Sequence, residues 1–251
     1  MDLVIYTALG VGLATVIGAG IGFIFKNISH RLQDGILGFA SGVMLAASII
    51  SLILPSIELG GNYGIIVTLI GIFLGAVFLN LIDKLVPHLH KLADSTLDKT
   101  NENKSQLNKI LLFVLAIAIH NFPEGIAAGV GAGSGDVANA ITIALGIAIQ
   151  NVPEGMVIIA PMIAAGINKK RTFLIASFTG VIEVIGTFVG FFATSISAVI
   201  LPFALAFAGG TMLYVISNEM IPETHAHGNE RFATYALLVG FSLMLVLNVV
   251  I

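Results

Sequence analysis

Eight stretches of this chain are each long and apolar enough to cross a lipid bilayer. They run at about 3–25, 35–57, 63–82, 109–131, 138–163, 171–193, 198–221 and 233–251. A helical span needs roughly 20 apolar residues. With no water in the hydrocarbon layer, each segment must pair its own backbone N–H and C=O groups. The expected fold class is therefore an all-α integral membrane protein with eight transmembrane helices. Composition agrees: 57% of the residues are hydrophobic and only 10% are charged, against about 25% charged in a soluble domain. The first segment opens Met1-Asp2-Leu3 without a basic n-region and is too long for a cleavable leader, which suits a prokaryotic cytoplasmic membrane.

The few charges orient the chain. All eleven basic residues, from Lys26 and Arg31 through Lys169, Lys170 and Arg171 to Arg231, fall in or beside the odd-numbered loops. By the positive-inside rule those loops are cytoplasmic and both termini lie outside. The one long loop, at about 84–108, is polar and reads as a flexible cytoplasmic linker. The whole of 1–251 then forms a single transmembrane domain. Its expected surroundings are the lipid bilayer, and nucleic acid is not expected as a partner.

Two internal repeats stand out. His120-Asn121-Phe122-Pro123-Glu124-Gly125 in the fourth segment returns as Gln150-Asn151-Val152-Pro153-Glu154-Gly155 in the fifth. A short loop joins these segments, so they are antiparallel neighbours and the motifs meet near the midplane. A looser match relates Phe39-Ala40-Ser41-Gly42-Val43-Met44-Leu45 and the later Pro55 to Phe207-Ala208-Gly209-Gly210-Thr211-Met212-Leu213 and Pro222. The second and seventh segments run in opposite directions. The expectation is an inverted repeat, a common transporter device, with helices 1–3 and 6–8 around the central pair 4–5.

The tight motif carries chemistry. At about 100° per residue, Glu124 lies between His120 and Asn121 on one helix face, and Glu154 between Gln150 and Asn151. Two facing copies make adjacent oxygen/nitrogen cages that share both carboxylates. Pro123 and Pro153 each remove a backbone donor inside a helix. The carbonyls of Ile119 and Ile149 then need another partner, such as water or an ion. Glu183 adds a third acid at mid-membrane in the sixth segment, where a carboxylate costs about 2.5–3.5 kcal/mol on insertion scales. A divalent cation relieves both that cost and the repulsion among the acids. Without cysteine, disulfides and thiolate ligands are excluded.

These motifs resemble the signatures of the ZIP (zinc- and iron-regulated transporter-like) family, His-Asn-x-Pro-Glu-Gly and His/Gln-Asn-x-Pro-Glu-Gly. The likeness extends to the chain length, to Glu183 and to Glu-Met-Ile-Pro-Glu-Thr-His at 219–225. The Gln150 form resembles the prokaryotic branch related to GufA proteins. The resemblance implies a carrier that moves divalent metal, zinc and also cadmium, iron or manganese, into the cytoplasm as substrate and not as cofactor. It implies a binuclear site: one metal on His120, Glu124, Gln150 and Glu154 with Met44 nearby, the other on Asn121, Glu124, Asn151, Glu154 and Glu183. It also implies a homodimer and alternating access, in which helices 1, 4, 5 and 6 move against the rest. One departure is Val184, where many members carry proline after the acid. Another is Gln150 in place of a histidine, which makes the site harder in character and weakens any preference for zinc.

Peripheral candidates complete the reading. Glu223, His225 and His227 after the seventh segment, and His88 and His90 after the third, are candidate transient ligands on the cytoplasmic exit. Ser51 is a candidate pathway residue, and Glu58 and Asp136 are candidate outer attractors of cations. From a different class, a membrane enzyme with a carboxylate-bridged dimetal centre uses similar clusters. The chain shows no His-Glu-x-x-His motif and no extramembrane substrate domain, so no enzyme is expected. A carrier whose acids only relay protons is a third reading.

Overall fold

Among the described residues, every regular element is helical. The computed structural model describes residues 1–24, 29–95, 102–164, 166–196 and 200–251. Helix α1 (Asp2–Gly22) is followed by a continuous run of α2 (His30–Ala46), a π-helical stretch (Ala47–Ile53) and α3 (Leu54–Leu59). Then come α4 (Gly64–Ser95), α5 (Glu102–Gly133), α6 (Val137–Ala164) and α7 (Lys169–Ile196). A second interrupted run contains α8 (Leu201–Val215), a π-helical stretch (Ile216–Met220) and α9 (Ile221–Thr224), and α10 (Glu230–Val250) closes the chain. Seven spans among the described residues are long and apolar enough to cross a membrane.

Local chemistry sets the ends of these helices. The Ser29 hydroxyl accepts from Leu32 N–H at the start of α2. Asp136 and Asn168 accept from the N–H groups of Asn139 and Arg171 at the starts of α6 and α7, the N-cap role that short polar side chains fill best. The stretch read from sequence as a linker at about 84–108 is helical up to Ser95 and again from Glu102. Its Leu, Lys and Ala residues are good helix formers, and the polar composition that argued for a loop does not oppose a helix.

The two π-helical stretches sit just before Pro55 and Pro222. Proline has no N–H, so the carbonyl four residues back loses its donor. For Pro55 that carbonyl belongs to Ser51, and Asn139 Nδ2 of α6 donates to it at 3.3 Å. The irregularity is therefore satisfied by a side chain of a neighbouring helix, as hydrocarbon requires.

The helices pack as two groups. In one, α5 packs on α7, α1 on α6 and α1 on α7; in the other, α2 packs on α10 and α4 on α8. Small residues allow close crossings inside each group. A Cβ on Gly125 would fall on the carbonyl oxygen of Glu183, one on Gly129 on that of Thr187, and one on Gly155 on that of Thr15. In the second group, Gly42 admits the Leu237 carbonyl and Gly75 the Phe207 carbonyl. Between the groups lies the main buried cluster, with Met44, Ala127, Ile143, Ile147, Leu205 and Met212. Hydroxyls tie α3, α4 and α8, where Ser56 Oγ lies 2.7 Å from Thr68 Oγ1 and donates to Pro202 O at 2.7 Å. The outward faces of α4 and α10 carry Phe73, Val77, Leu81, Val239, Val246 and Val249, all exposed, as lipid-facing surfaces should.

The close crossings give a stability test. Gly129→Ala places a methyl on backbone and is expected to lower stability by about 1–3 kcal/mol. Gly20→Ala meets nothing within 4 Å and is expected to be neutral or stabilising by up to about 1 kcal/mol. Thermal melts of both variants in detergent check this, and equal melting temperatures would refute the crossing.

Candidate functional site

Pro123 and Pro153 lie inside α5 and α6, and the two motifs face the groove between the helix groups. Asn121, Glu124, Gln150, Asn151 and Glu183 are all buried, although each is polar or charged. Such groups are normally hydrogen-bonded. Here both oxygens of Glu124, both amide atoms of Asn121 and of Gln150, Asn151 Oδ1 and His120 Nε2 have no hydrogen-bond partner among the described residues. The carboxyl of Glu124 stands within electrostatic reach of Glu154 and Glu183, with the Gln150 amide beside it. Leaving one buried polar group unmatched costs about 1–3 kcal/mol, more for charged groups. A cation among these atoms would satisfy the unmatched groups and relieve the repulsion between the acids.

Glu183 differs from Glu124. Its Oε1 accepts from Asn151 Nδ2 at 2.5 Å and its Oε2 from Thr15 Oγ1 at 3.3 Å. Asn151 Nδ2 also donates to the Val11 carbonyl at 3.0 Å. Helix α1 thus supports the site through a hydroxyl and a backbone carbonyl that motif reading did not single out.

A cavity of about 500 Å³ reaches the site from one end. Its wall combines His120, Glu124, Glu154 and Val157 of α5 and α6 with Leu37, Asn218, Glu219 and Glu223 from the other helix group. His120 Nε2 lies 2.8 Å from Glu219 Oε1, off the line of a hydrogen bond. Among the described residues no group of three His, Asp or Glu side chains is gathered tightly enough to hold a metal ion. The remaining donors are the amides of Asn121, Gln150 and Asn151. Glu219 was not among the candidate site residues. Its signal was present in the sequence, because it precedes Glu223 by four residues and so shares a helix face with it.

The other candidates separate. Met44 is fully buried in the main cluster. Ser51 is buried with its hydroxyl unpartnered. Glu223 lines the cavity, whereas His225 and His227 do not. His227 Nδ1 instead lies 3.0 Å from Asp34 Oδ1, and Asn229 Nδ2 donates to Asp34 Oδ2 at 2.8 Å. The side chains of His88 and His90 lie outside the described residues. At the opposite end of the groove, a second cavity of about 430 Å³ brings together Glu58, Asp136, Asn139 and Thr142.

Comparison with known proteins gives a consistent result. The family model described as ZIP Zinc transporter matches residues 87–248. Zinc transporter GufA of Myxococcus xanthus is 38% identical over 94% of this chain and 94% of its own length. Zinc transporter ZIPB of Bordetella bronchiseptica is 37% identical over 94% of this chain and 77% of its own. Zinc transporter ZupT of Chlorobaculum parvum is 37% identical over 94% and 92%.

The cavity wall can be probed because the chain has no native cysteine. Val157→Cys, on the wall, is expected to react readily with a water-soluble maleimide. Ile158→Cys, fully buried away from it, is expected to react at least about tenfold more slowly, since thiol reactivity requires access. Equal labelling of the two, read by mass spectrometry, would remove the cavity from the site.

Proposed function

The chain belongs to the ZIP zinc transporter family, and from that membership we propose that it carries zinc across the membrane into the cytoplasm through the paired Pro-Glu-Gly motifs. One observation carries the assignment of the path: the orphaned polar atoms of Glu124, Asn121, Gln150 and Asn151 are clustered where α5 meets α6. In that reading, His120, Glu124, Gln150 and Glu154 hold the first ion, with Met44 against them. Asn121 and Asn151 open a neighbouring position that shares the two carboxylates. Cadmium, iron and manganese belong to the same substrate class, since the donors are mostly hard oxygens.

The reading includes eight transmembrane helices, α5 being the span added to the seven. Both termini lie outside a prokaryotic cytoplasmic membrane, and two chains form a homodimer as the resemblance implies. Residues 1–251 act as one domain, with the segment around 84–108 as its cytoplasmic connection. The cavity ending at Glu223 then faces the cytoplasm, and the cavity holding Glu58 and Asp136 faces outward.

Alternating access follows from the grouping of helices. Both cavities lie between the same two groups, at opposite ends. Rocking α1, α5, α6 and α7 against the rest closes one and opens the other. Asn139 bridges the groups at the outer end and His120 meets Glu219 toward the inner end. Glu219 and then Glu223 give a departing ion successive acidic partners, and Ser51 beside the Asn139 contact borders the entrance. The crossings support an inverted repeat. Gly18 admits the Val152 carbonyl as Gly186 admits that of Phe122, and Val152 and Phe122 hold the same place in their motifs. The dimetal-enzyme reading has the relatives against it, since those matched are named as transporters.

The test is flux. Protein reconstituted in liposomes that contain a zinc- and cadmium-sensitive dye is expected to admit metal saturably. Glu124→Ala and Glu154→Ala are expected to abolish entry, and His120→Ala to slow it about tenfold or more, as loss of a metal ligand should. Absence of flux in the wild type, or wild-type rates in the glutamate variants, would overturn the proposal.

A further inference from the structure

Two backbone carbonyls of this molecule hold equivalent places. Ser51 and Asn218 each precede a proline by four residues, Pro55 and Pro222, and each lies in one of the two π-helical stretches. Proline offers no N–H, so both carbonyls lose their regular helical donor. Their surroundings differ. Ser51 is fully buried, and Asn139 Nδ2 of α6 donates to its carbonyl across the boundary between the helix groups. Asn218 is exposed and borders the inner cavity. One proline-freed carbonyl is capped by the opposite group, while the other stands where a cavity has opened.

Asn139 is held in place to make this contact. It lies in the first turn of α6, and its backbone N–H donates to the capping carboxylate of Asp136 at 3.0 Å. The cap fixes the backbone and the side chain reaches across. Asn139 also borders the outer cavity, so the bond lies at the edge of that cavity. One turn deeper the groups are in apolar contact. Ile143 of α6 and Ala47 of the π-helical stretch are both buried, and a Cβ on Gly146 of α6 would lie 3.7 Å from the Ala47 Cβ. The amide bond therefore stands between the outer cavity and a closed seam that leads toward the motifs.

We propose that Asn139 is the latch of the outer end, holding α6 to the Ser51 carbonyl while the inner cavity is open and releasing it when the seam parts. This deepens the transport reading above and rests on it. A carbonyl suits the task because the backbone cannot turn away as a side chain can. On release the amide and the carbonyl both face the outer cavity, where water replaces the lost partner, so the step is reversible. One net hydrogen bond of this kind shifts a two-state balance about 2–10-fold.

The experiment uses purified full-length protein in detergent, with single cysteines placed in a chain that has none of its own. Ala47→Cys and Ile143→Cys report from the seam, one from each helix group. Ile158→Cys, buried away from the cavity wall, is the control. Thiol labelling requires access, so the rate with a water-soluble maleimide follows the fraction of molecules whose seam is open. Asn139→Ala and Asn139→Leu, the second of which keeps the volume without the donor, are each expected to speed labelling at positions 47 and 143 about 2–10-fold and to leave position 158 unchanged. Unchanged rates in the seam would overturn the latch. So would an equal acceleration at position 158, because the substitution would then loosen the whole fold. If one reporter or one substitution does not fold, the other of its pair decides. Zinc flux in the wild type is read separately: its absence sinks the transport reading, whereas the labelling ratio still decides whether Asn139 holds the seam closed.

Discussion

A carboxylate surrounded by hydrocarbon must find a partner, and most of this molecule is arranged around that requirement. Glu183 finds protein partners in Asn151 and Thr15. Glu124 finds none, although it is equally enclosed. Isolating an acid in this way is destabilising, and a bound cation would supply the missing interaction. The two acids therefore differ in their surroundings: Glu183 is tied to α1 and α6, whereas Glu124 is left open toward the cavity. The prolines extend the logic to the backbone, because each removes an N–H from the helical ladder beside a glutamate and leaves a carbonyl without its usual donor.

Glycine makes the arrangement mechanically possible. In lipid there is little hydrophobic drive to bring helices together, so contact depends on how closely backbones approach. The tight crossings occur within each helix group, at Gly125, Gly129 and Gly155 in one and at Gly42 and Gly75 in the other. Between the groups lie the main buried cluster of apolar side chains, two cavities and a few polar contacts. Backbone-to-backbone crossings inside each group and side-chain contact between them would suit a rocking carrier. A crossing pinned by backbone resists shear, whereas a wall of side chains can part.

Much of this was legible in the sequence. Seven of the spans followed from hydropathy, and the paired motifs place Glu124 and Glu154 each within one turn of their amide and imidazole neighbours by helical angle. What escaped depends on contacts between distant elements. Thr15 is an ordinary residue on an apolar helix, and it acquires meaning only when α1 is laid against α7. Glu219 was hidden because His225 and His227 drew attention as metal-binding types, yet His227 is committed to Asp34. The π-helical stretches had a cue in Pro55 and Pro222, but proline alone does not predict how the ladder adjusts. At about 84–108, composition argued for a loop where the chain stays helical to Ser95, because polar helix formers carry no hydropathy signal.

The two interrupted runs show why the irregular backbone is where it is. Each π-helical stretch lies against the groove between the groups: Ile50 borders one cavity, and Asn218, Glu219 and Met220 border the other. A π turn inserts one residue and rotates the side chains that follow it. Glu219 is thereby turned toward His120, and the Ser51 carbonyl toward Asn139. Both contacts cross from one helix group to the other, one at each end. A regular helix would satisfy its own backbone and offer the neighbouring group only side chains. By leaving a proline-orphaned carbonyl for Asn139 to take, the interrupted run makes the position of one helix group part of the hydrogen bonding of the other. Separation at that end then gives up a partly buried hydrogen bond, worth about 0.5–1.5 kcal/mol. A contact of that size would bias which end of the groove stands open without locking it.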